Sequence, residues 1–145
     1  MQPLPHQYNV QINATPDSDI KVSSQGVPHF IASAPVEFGG PGDQWSPETL
    51  FMSAVASCFA LSFKAVAGAS SFTWKNLQCE AIGQLEKVDR TIKFTQITNK
   101  VTLTIGNDVD KQKAIKLIEK SESICLVTNS LSASVKLEYD IVVEE

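Results

Sequence analysis

The stretch from Gly39 to Gly68 constrains this chain more than any other. It holds a Gly-Gly-Pro-Gly loop, a helix start at Ser46-Pro47-Glu48, and then an unusually apolar helix carrying Cys58. Ser46 is a good N-cap, and Pro47 falls at the first helical position, where its missing N–H costs nothing. Glu48 puts a carboxylate in the first turn, against the positive end of the macrodipole. From Leu50 to Ala67 there is no Pro or Gly and a single charge, Lys64. That run is too short and too interrupted by serine for a membrane span. A helix apolar nearly all round must be covered on nearly all sides. Thr49, Ser53 and Ser57 form a narrow stripe continued by Leu61, with Ala56 and Ala60 beside it, and such small residues let a second backbone come close. The expectation is a helix packed against both a sheet and another helix.

With 145 residues the chain is read as one domain or one intertwined unit, able to bury roughly 70% of its unfolded surface. A net charge of −4 and the lack of any Lys/Arg cluster argue against nucleic-acid binding. Arg90 is the only arginine. Met1–His6 has neither a basic stretch nor an apolar core, so a secretory signal is not expected and a reducing cytoplasm is. Three cysteines, Cys58, Cys79 and Cys125, make a poor disulfide framework and contain no Cys-x-x-Cys pair for zinc. Each is therefore either a small buried hydrophobe or a reactive thiol.

All seven prolines fall at or before residue 47, which leaves the N-terminal third to loops and short edge strands. Tyr8–Ala14 alternates as a half-buried strand, and Ile20–Ser23 and His29–Ala34 complete a small meander. After the helix, Leu77–Lys87 alternates with Leu77, Cys79, Ala81, Gly83 and Leu85 on one face. A turn at Lys87–Arg90 leads to a long β-branched strand, Thr91–Ile105, completing an antiparallel hairpin. A second helix is expected at about Val109 to Ser121, with its lysines outward. Ile124–Leu131 then reads as a connection, and Ala133–Val143 as a last strand with Val135, Leu137, Tyr139 and Ile141 inward. This order gives an α+β protein with helices on one face of antiparallel sheets.

Three segments together carry a family resemblance: Gly40-Pro41-Gly42 with Ser46-Pro47-Glu48-Thr49-Leu50-Phe51, then Ala56-Ser57-Cys58-Phe59, then Cys125-Leu126-Val127-Thr128-Asn129-Ser130-Leu131, whose cysteine lies sixty-seven residues after Cys58. In these motifs and in its order of elements the chain resembles the OsmC/Ohr family of osmotically induced proteins and organic hydroperoxide reductases. The resemblance implies an OsmC-like α+β fold over residues 1–145, with antiparallel sheets, a long central helix and an intertwined homodimer. It also implies a two-cysteine thiol peroxidase, with Cys58 peroxidatic, Cys125 resolving and Glu48 in the charged network of the site. Many relatives have Pro after the second cysteine, where this chain has Leu126. The reductases also carry an N-terminal arginine that pairs with the glutamate, and here no arginine precedes Arg90.

The implied chemistry needs a thiolate, and an unperturbed thiol of pKa about 8.5 is only about 3% ionised at pH 7. Cys58 lies twelve residues past the N-cap, beyond the reach of the helix dipole. Lys21, His29 and Arg90 are the candidate cations. Glu48 is ten residues before Cys58, or about 15 Å along the axis, so it can approach a Cys58 only across an antiparallel pair of helices. Read without the resemblance, Glu48 is a helix-start residue and Cys58 a structural cysteine; Cys79 reads as core in either case. Phe38, Trp45, Phe51 and Phe59 are candidates for an apolar pocket or for dimer core. No metal, flavin or nucleotide cofactor is expected; the expected partners are an organic hydroperoxide, an external dithiol reductant and a second copy of the chain, without nucleic acid or membrane. The competing reading is a non-catalytic protein that binds a small apolar ligand or serves a structural role.

Overall fold

The computed structural model describes every residue from Met1 to Glu145 and divides into two compact units, Met1–Leu50 and Phe51–Glu145. In the first unit, β1 (Gln11–Asn13), β2 (Ile20–Ser23) and β3 (Phe30–Ala32) form an antiparallel meander in that order. Only Val22 and Ala32 bury apolar side chains on it. The half-buried strand expected at Tyr8–Ala14 is shorter and fully exposed, because β1 is an edge strand with nothing packed on either face; Tyr8, Val10 and Ile12 all face solvent. A 3-10 turn, Val36–Phe38, ends on Gly39 in the left-handed region at φ 86°. Gly40 follows because no other residue fits: a Cβ there would lie 1.6 Å from the Ala34 carbonyl oxygen. Ser33 N–H then donates to the Trp45 carbonyl at 2.9 Å, tying the end of the meander to the start of the long helix.

That helix, α1, runs from Pro47 to Ala69. Ser46 caps it through a reciprocal pair: Thr49 N–H donates to Ser46 Oγ at 3.1 Å, and Ser46 N–H donates to Thr49 Oγ1 at 3.0 Å. With 23 residues, α1 is long and apolar enough to cross a membrane by length and composition, contrary to the expectation from Leu50–Ala67. Its inner stripe, however, belongs to the core of the second unit. Val55, Phe59, Phe63 and Ala67, spaced by four, are buried. Ser53, Ala54, Ser57, Leu61, Lys64 and Ala65 are exposed, and the positions between them and the stripe are half-buried.

In the second unit β4 (Asn76–Val88) and β5 (Thr91–Ile105) form the expected hairpin. Its two-residue turn, Asp89-Arg90, holds both residues at positive φ (50° and 73°), as a primed turn requires. Leu77, Cys79, Ala81 and Gly83 share a face as expected. The register then shifts between Gln84 and Leu85, where Thr95 of β5 is the extra, unpaired residue, and Leu85, expected on the same face, is 38% exposed. On β5, Ile97, Asn99, Val101, Leu103 and Ile105 alternate onto the buried face, where α1 and α2 (Lys111–Ile124) meet through Phe59, Phe63, Ala114, Leu117 and Ile118.

One pairing adds to the antiparallel expectation: β6 (Ser134–Val143) lies beside β5 in parallel. The helical segment between them supplies the long crossover that a parallel pair requires. Tyr139, expected inward, is half-exposed, and the connection read at Ile124–Leu131 contains a short helix, α3 (Leu126–Asn129).

Candidate functional site

Cys58 is adjacent in sequence to Phe59, and one residue is about 100° of helix rotation. Packing of the Val55–Phe59–Phe63–Ala67 stripe therefore fixes Cys58 at the flank of the core, half-buried. Cys125 is placed by a different device. It is at once the last cap of α2 and the first cap of α3, in extended backbone at φ −65°, ψ 105°. Its N–H donates to the Glu122 carbonyl at 3.3 Å, and its carbonyl accepts from Asn129 N–H at 2.9 Å. Asn129 Nδ2 also donates to the Ser123 carbonyl at 3.2 Å, stapling the two helices around the cysteine. Leu126 opens α3, a first-helical position that a proline would also fit.

The structure brings Cys58 and Cys125 together at near-disulfide distance, both as free thiols. Cys125 is 0% exposed, whereas Cys58 keeps part of its surface. Burial pushes the Cys125 thiol up; the Thr128 hydroxyl and backbone N–H pull it down, and the hydrogen bond and charge interaction with Cys58 raise it again, so the net direction is upward. Thr128 Oγ1 is sealed from water and has no hydrogen-bond partner of ordinary length, so Cys125 is the group it is free to serve. Cys79, half-buried on β4, is pushed up to about 11 by desolvation, as suits an inert core thiol.

Glu48 lies in the other unit. There it lines an open apolar cleft of about 270 Å³ with Ile20, Ser33, Ala34, Pro35, Phe38 and Pro47. The only ion pair in the molecule is Lys136–Glu138 at 3.3 Å, so Glu48 has no cationic partner and Lys21, His29 and Arg90 have no anionic one. Arg90 is exposed at the tip of the β4–β5 hairpin. The four aromatic candidates separate: Phe59 is core, Phe51 stacks edge-on against Phe94 at 5.1 Å, Phe38 lines the cleft and Trp45 is exposed.

Sequence reasoning missed Ser33, Thr128, Asn99 and Glu122. Asn99 is 0% exposed on β5, and neither of its side-chain polar atoms has a partner. Glu122, in the last turn of α2, has one sealed oxygen without a partner, and burial raises its pKa. Only Thr128 had a usable signal, since it falls inside the Cys125 motif.

The family model for OsmC-like protein matches residues 40–140, which include both thiols and Glu48. The chain is 25% identical over 111 residues to the uncharacterized protein YmaD of Bacillus subtilis, covering 74% of each. It is 28% identical over 96 residues to the protein called peroxiredoxin OsmC in Escherichia coli, covering 66% of each. Among solved structures, an OsmC-like protein of unknown function from Vibrio cholerae superposes with a TM-score of 0.85 at 18% identity, covering 94% of this chain and all of that one.

Proposed function

Because the chain belongs to the OsmC-like family, we propose that it is a cysteine-dependent thiol peroxidase acting on organic hydroperoxides, with Cys58 peroxidatic and Cys125 resolving. The observation that carries this reading is the asymmetry of the thiol pair. A reachable Cys58 faces a sealed Cys125, so an entering peroxide meets Cys58 first and Cys125 is protected from direct oxidation. The Cys58 thiolate attacks one peroxide oxygen; the O–O bond breaks, the alkoxide leaves and takes up a proton as the alcohol, and Cys58 becomes a sulfenic acid. Cys125 then loses its proton and attacks the sulfenic sulfur, water leaves, and a Cys58–Cys125 disulfide forms. The Thr128 hydroxyl and N–H favour the Cys125 thiolate at that step. An external dithiol returns both thiols by two exchanges, in keeping with a reducing cytoplasm. The balance is one hydroperoxide and one dithiol consumed for one alcohol, one water and one disulfide.

We include Glu48 in the site as an electrostatic group, and residues 1–145 as one working domain in a homodimer. The uncovered faces of α1, with Leu61 64% exposed, support the dimer. Sedimentation equilibrium tests this: a folded monomer at micromolar concentration would end it. The reaction is tested by supplying a dithiol and comparing cumene hydroperoxide with hydrogen peroxide, the former being consumed faster. Cys58→Ser should abolish turnover, Cys125→Ser should allow one oxidation and then stall, and Cys79→Ser should remain active. Turnover by Cys58→Ser equal to wild type would refute the assignment. A second reading, a non-catalytic binding protein, is favoured by Glu48 having no ion-pair partner and by the absence of any arginine before Arg90.

A further inference from the structure

We infer that the reductant attacks the Cys58 sulfur of the Cys58–Cys125 disulfide, and that Thr128 is the residue that receives Cys125 as the leaving thiolate. This assigns the reductive half of the two-cysteine cycle proposed above, on which it rests. Cys125 is 0% exposed, while Cys58, at near-disulfide distance from it, keeps part of its surface, so an external thiolate reaches Cys58 alone. In thiol–disulfide exchange the attacked sulfur keeps the newcomer and the other sulfur leaves. Cys125 therefore leaves, as an anion, into a place sealed from water.

A thiolate released there is costly unless donors meet it. Burial, Thr128 and Cys58 act on the Cys125 sulfur, and of these only Thr128, through its hydroxyl and its N–H, favours the anion. That hydroxyl is sealed and has no other group to serve. Its segment is held by the backbone: Asn129 N–H donates to the Cys125 carbonyl at 2.9 Å, Leu131 N–H to the Thr128 carbonyl at 3.1 Å, and Ser130 Oγ to the Leu126 carbonyl at 2.7 Å. A fixed donor that is loosely used at rest and fully used when charge appears stabilises the transition state more than the ground state. In the first exchange the reductant thiolate bonds to Cys58 Sγ, the Cys58–Cys125 bond breaks, and Cys125 departs as a thiolate that takes up a proton. In the second, the remaining thiol of the reductant loses its proton and attacks the reductant's own sulfur in the mixed disulfide. Cys58 leaves as a thiolate, and the dithiol, having given up two electrons, departs as a cyclic disulfide.

The test starts from the full-length disulfide made with diamide, so no hydroperoxide is involved and the result is separable from the peroxidase assignment. The oxidised protein is mixed briefly with 2-mercaptoethanol, quenched in acid and mapped after peptic digestion. The adduct is expected on Cys58, with Cys125 recovered as a free thiol. An adduct on Cys125 would overturn the inference, as would failure of diamide to link the two cysteines. Thr128→Val should slow reduction of the same disulfide by dithiothreitol about tenfold. Thr128→Ser, which keeps the hydroxyl, should restore most of the rate. Alkylation of Cys58 by iodoacetamide in the reduced protein should match the wild type in both variants, because Thr128 serves the other sulfur. A wild-type reduction rate in Thr128→Val would overturn the Thr128 assignment, and so would equal slowing in Thr128→Ser or a parallel loss of Cys58 alkylation. Should Thr128→Val fail to fold, Thr128→Ala takes its place.

Discussion

The two units hold their chemically interesting groups in place by different means. In residues 51–145 the thiols are fixed by packing: a stripe of α1 and the buried face of β5 lock Cys58 at the flank of a core that includes Phe59, Phe63, Leu103 and Ile118. In residues 1–50 there is almost no core. Val22, Ala32, Ser33 and Ser46 are all that is buried, and two of the four are serines. There the geometry comes from the backbone, through the seven prolines, the left-handed Gly39 and Gly42, and a Gly40 that tolerates no Cβ. Positions fixed by packing respond to changes of volume, whereas positions fixed by backbone respond to changes of torsion and are indifferent to side-chain bulk nearby.

The largest expected effect tests the packed half. Phe63→Ala removes a fully buried ring stacked edge-on against Trp74 at 5.5 Å, and should cost about 3–5 kcal/mol in urea unfolding. A loss below about 1 kcal/mol would mean that the core is not what holds α1. Gly40→Ala tests the other half, since its Cβ would collide with the Ala34 carbonyl. It should cost about 1–3 kcal/mol and distort the Glu48 cleft, while hydrogen exchange along β4 and β5 stays as in the wild type. Equal loss of protection in both units would show that they do not differ in the way described.

Much of this was legible in the sequence because it was periodic. The strand read at Thr91–Ile105 has those bounds in the structure, and the β4 face up to Gly83 follows from alternation alone; the buried α1 stripe did not stand out, because that helix is apolar on nearly every face. The register shift at Thr95 left no mark, because it depends on how β5 pairs with β4 rather than on local residues. The direction of β6 was equally hidden: period two places Val135, Leu137 and Ile141 on one face whichever way the strand runs. The thiol pair was visible through its two motifs. The Glu48 cleft was not, since Ser33 looks like any other loop serine; the one available signal was the crowding of acidic residues into the first fifty positions.

Smaller effects sharpen the contrast. Asn99→Leu replaces two unpartnered polar atoms in the packed unit with an apolar group of similar size, and should stabilise the protein by about 1 kcal/mol. Destabilisation would mean that the amide pairs with a water molecule or with a second chain. The smallest effect belongs to Cys79. Its folded-state pKa, about 11, lies above that of an unperturbed thiol, so its contribution is fully present below the unperturbed pKa and is lost as pH rises toward 11. Because the thiol is only half-buried, the loss should be no more than about 1 kcal/mol after solvent screening, and Cys79→Val should remove that pH dependence. An unchanged alkaline slope in the variant would assign it to another group.

The parallel pairing of β6 with β5 has a consequence in time. The β4–β5 hairpin closes through the Asp89-Arg90 turn and needs only neighbours in sequence, but β6 joins β5 only after the chain from Gly106 to Ala133 has been drawn across. Closing so long a loop carries an entropy cost before any pairing repays it, so β6 is expected to dock last. Pulse-labelling exchange should find β4–β5 amides protected before those of β6; the reverse order would dismiss the idea. Cys125 travels on that late crossover, so the newly made chain is expected to carry two separated thiols, which become neighbours only as folding ends.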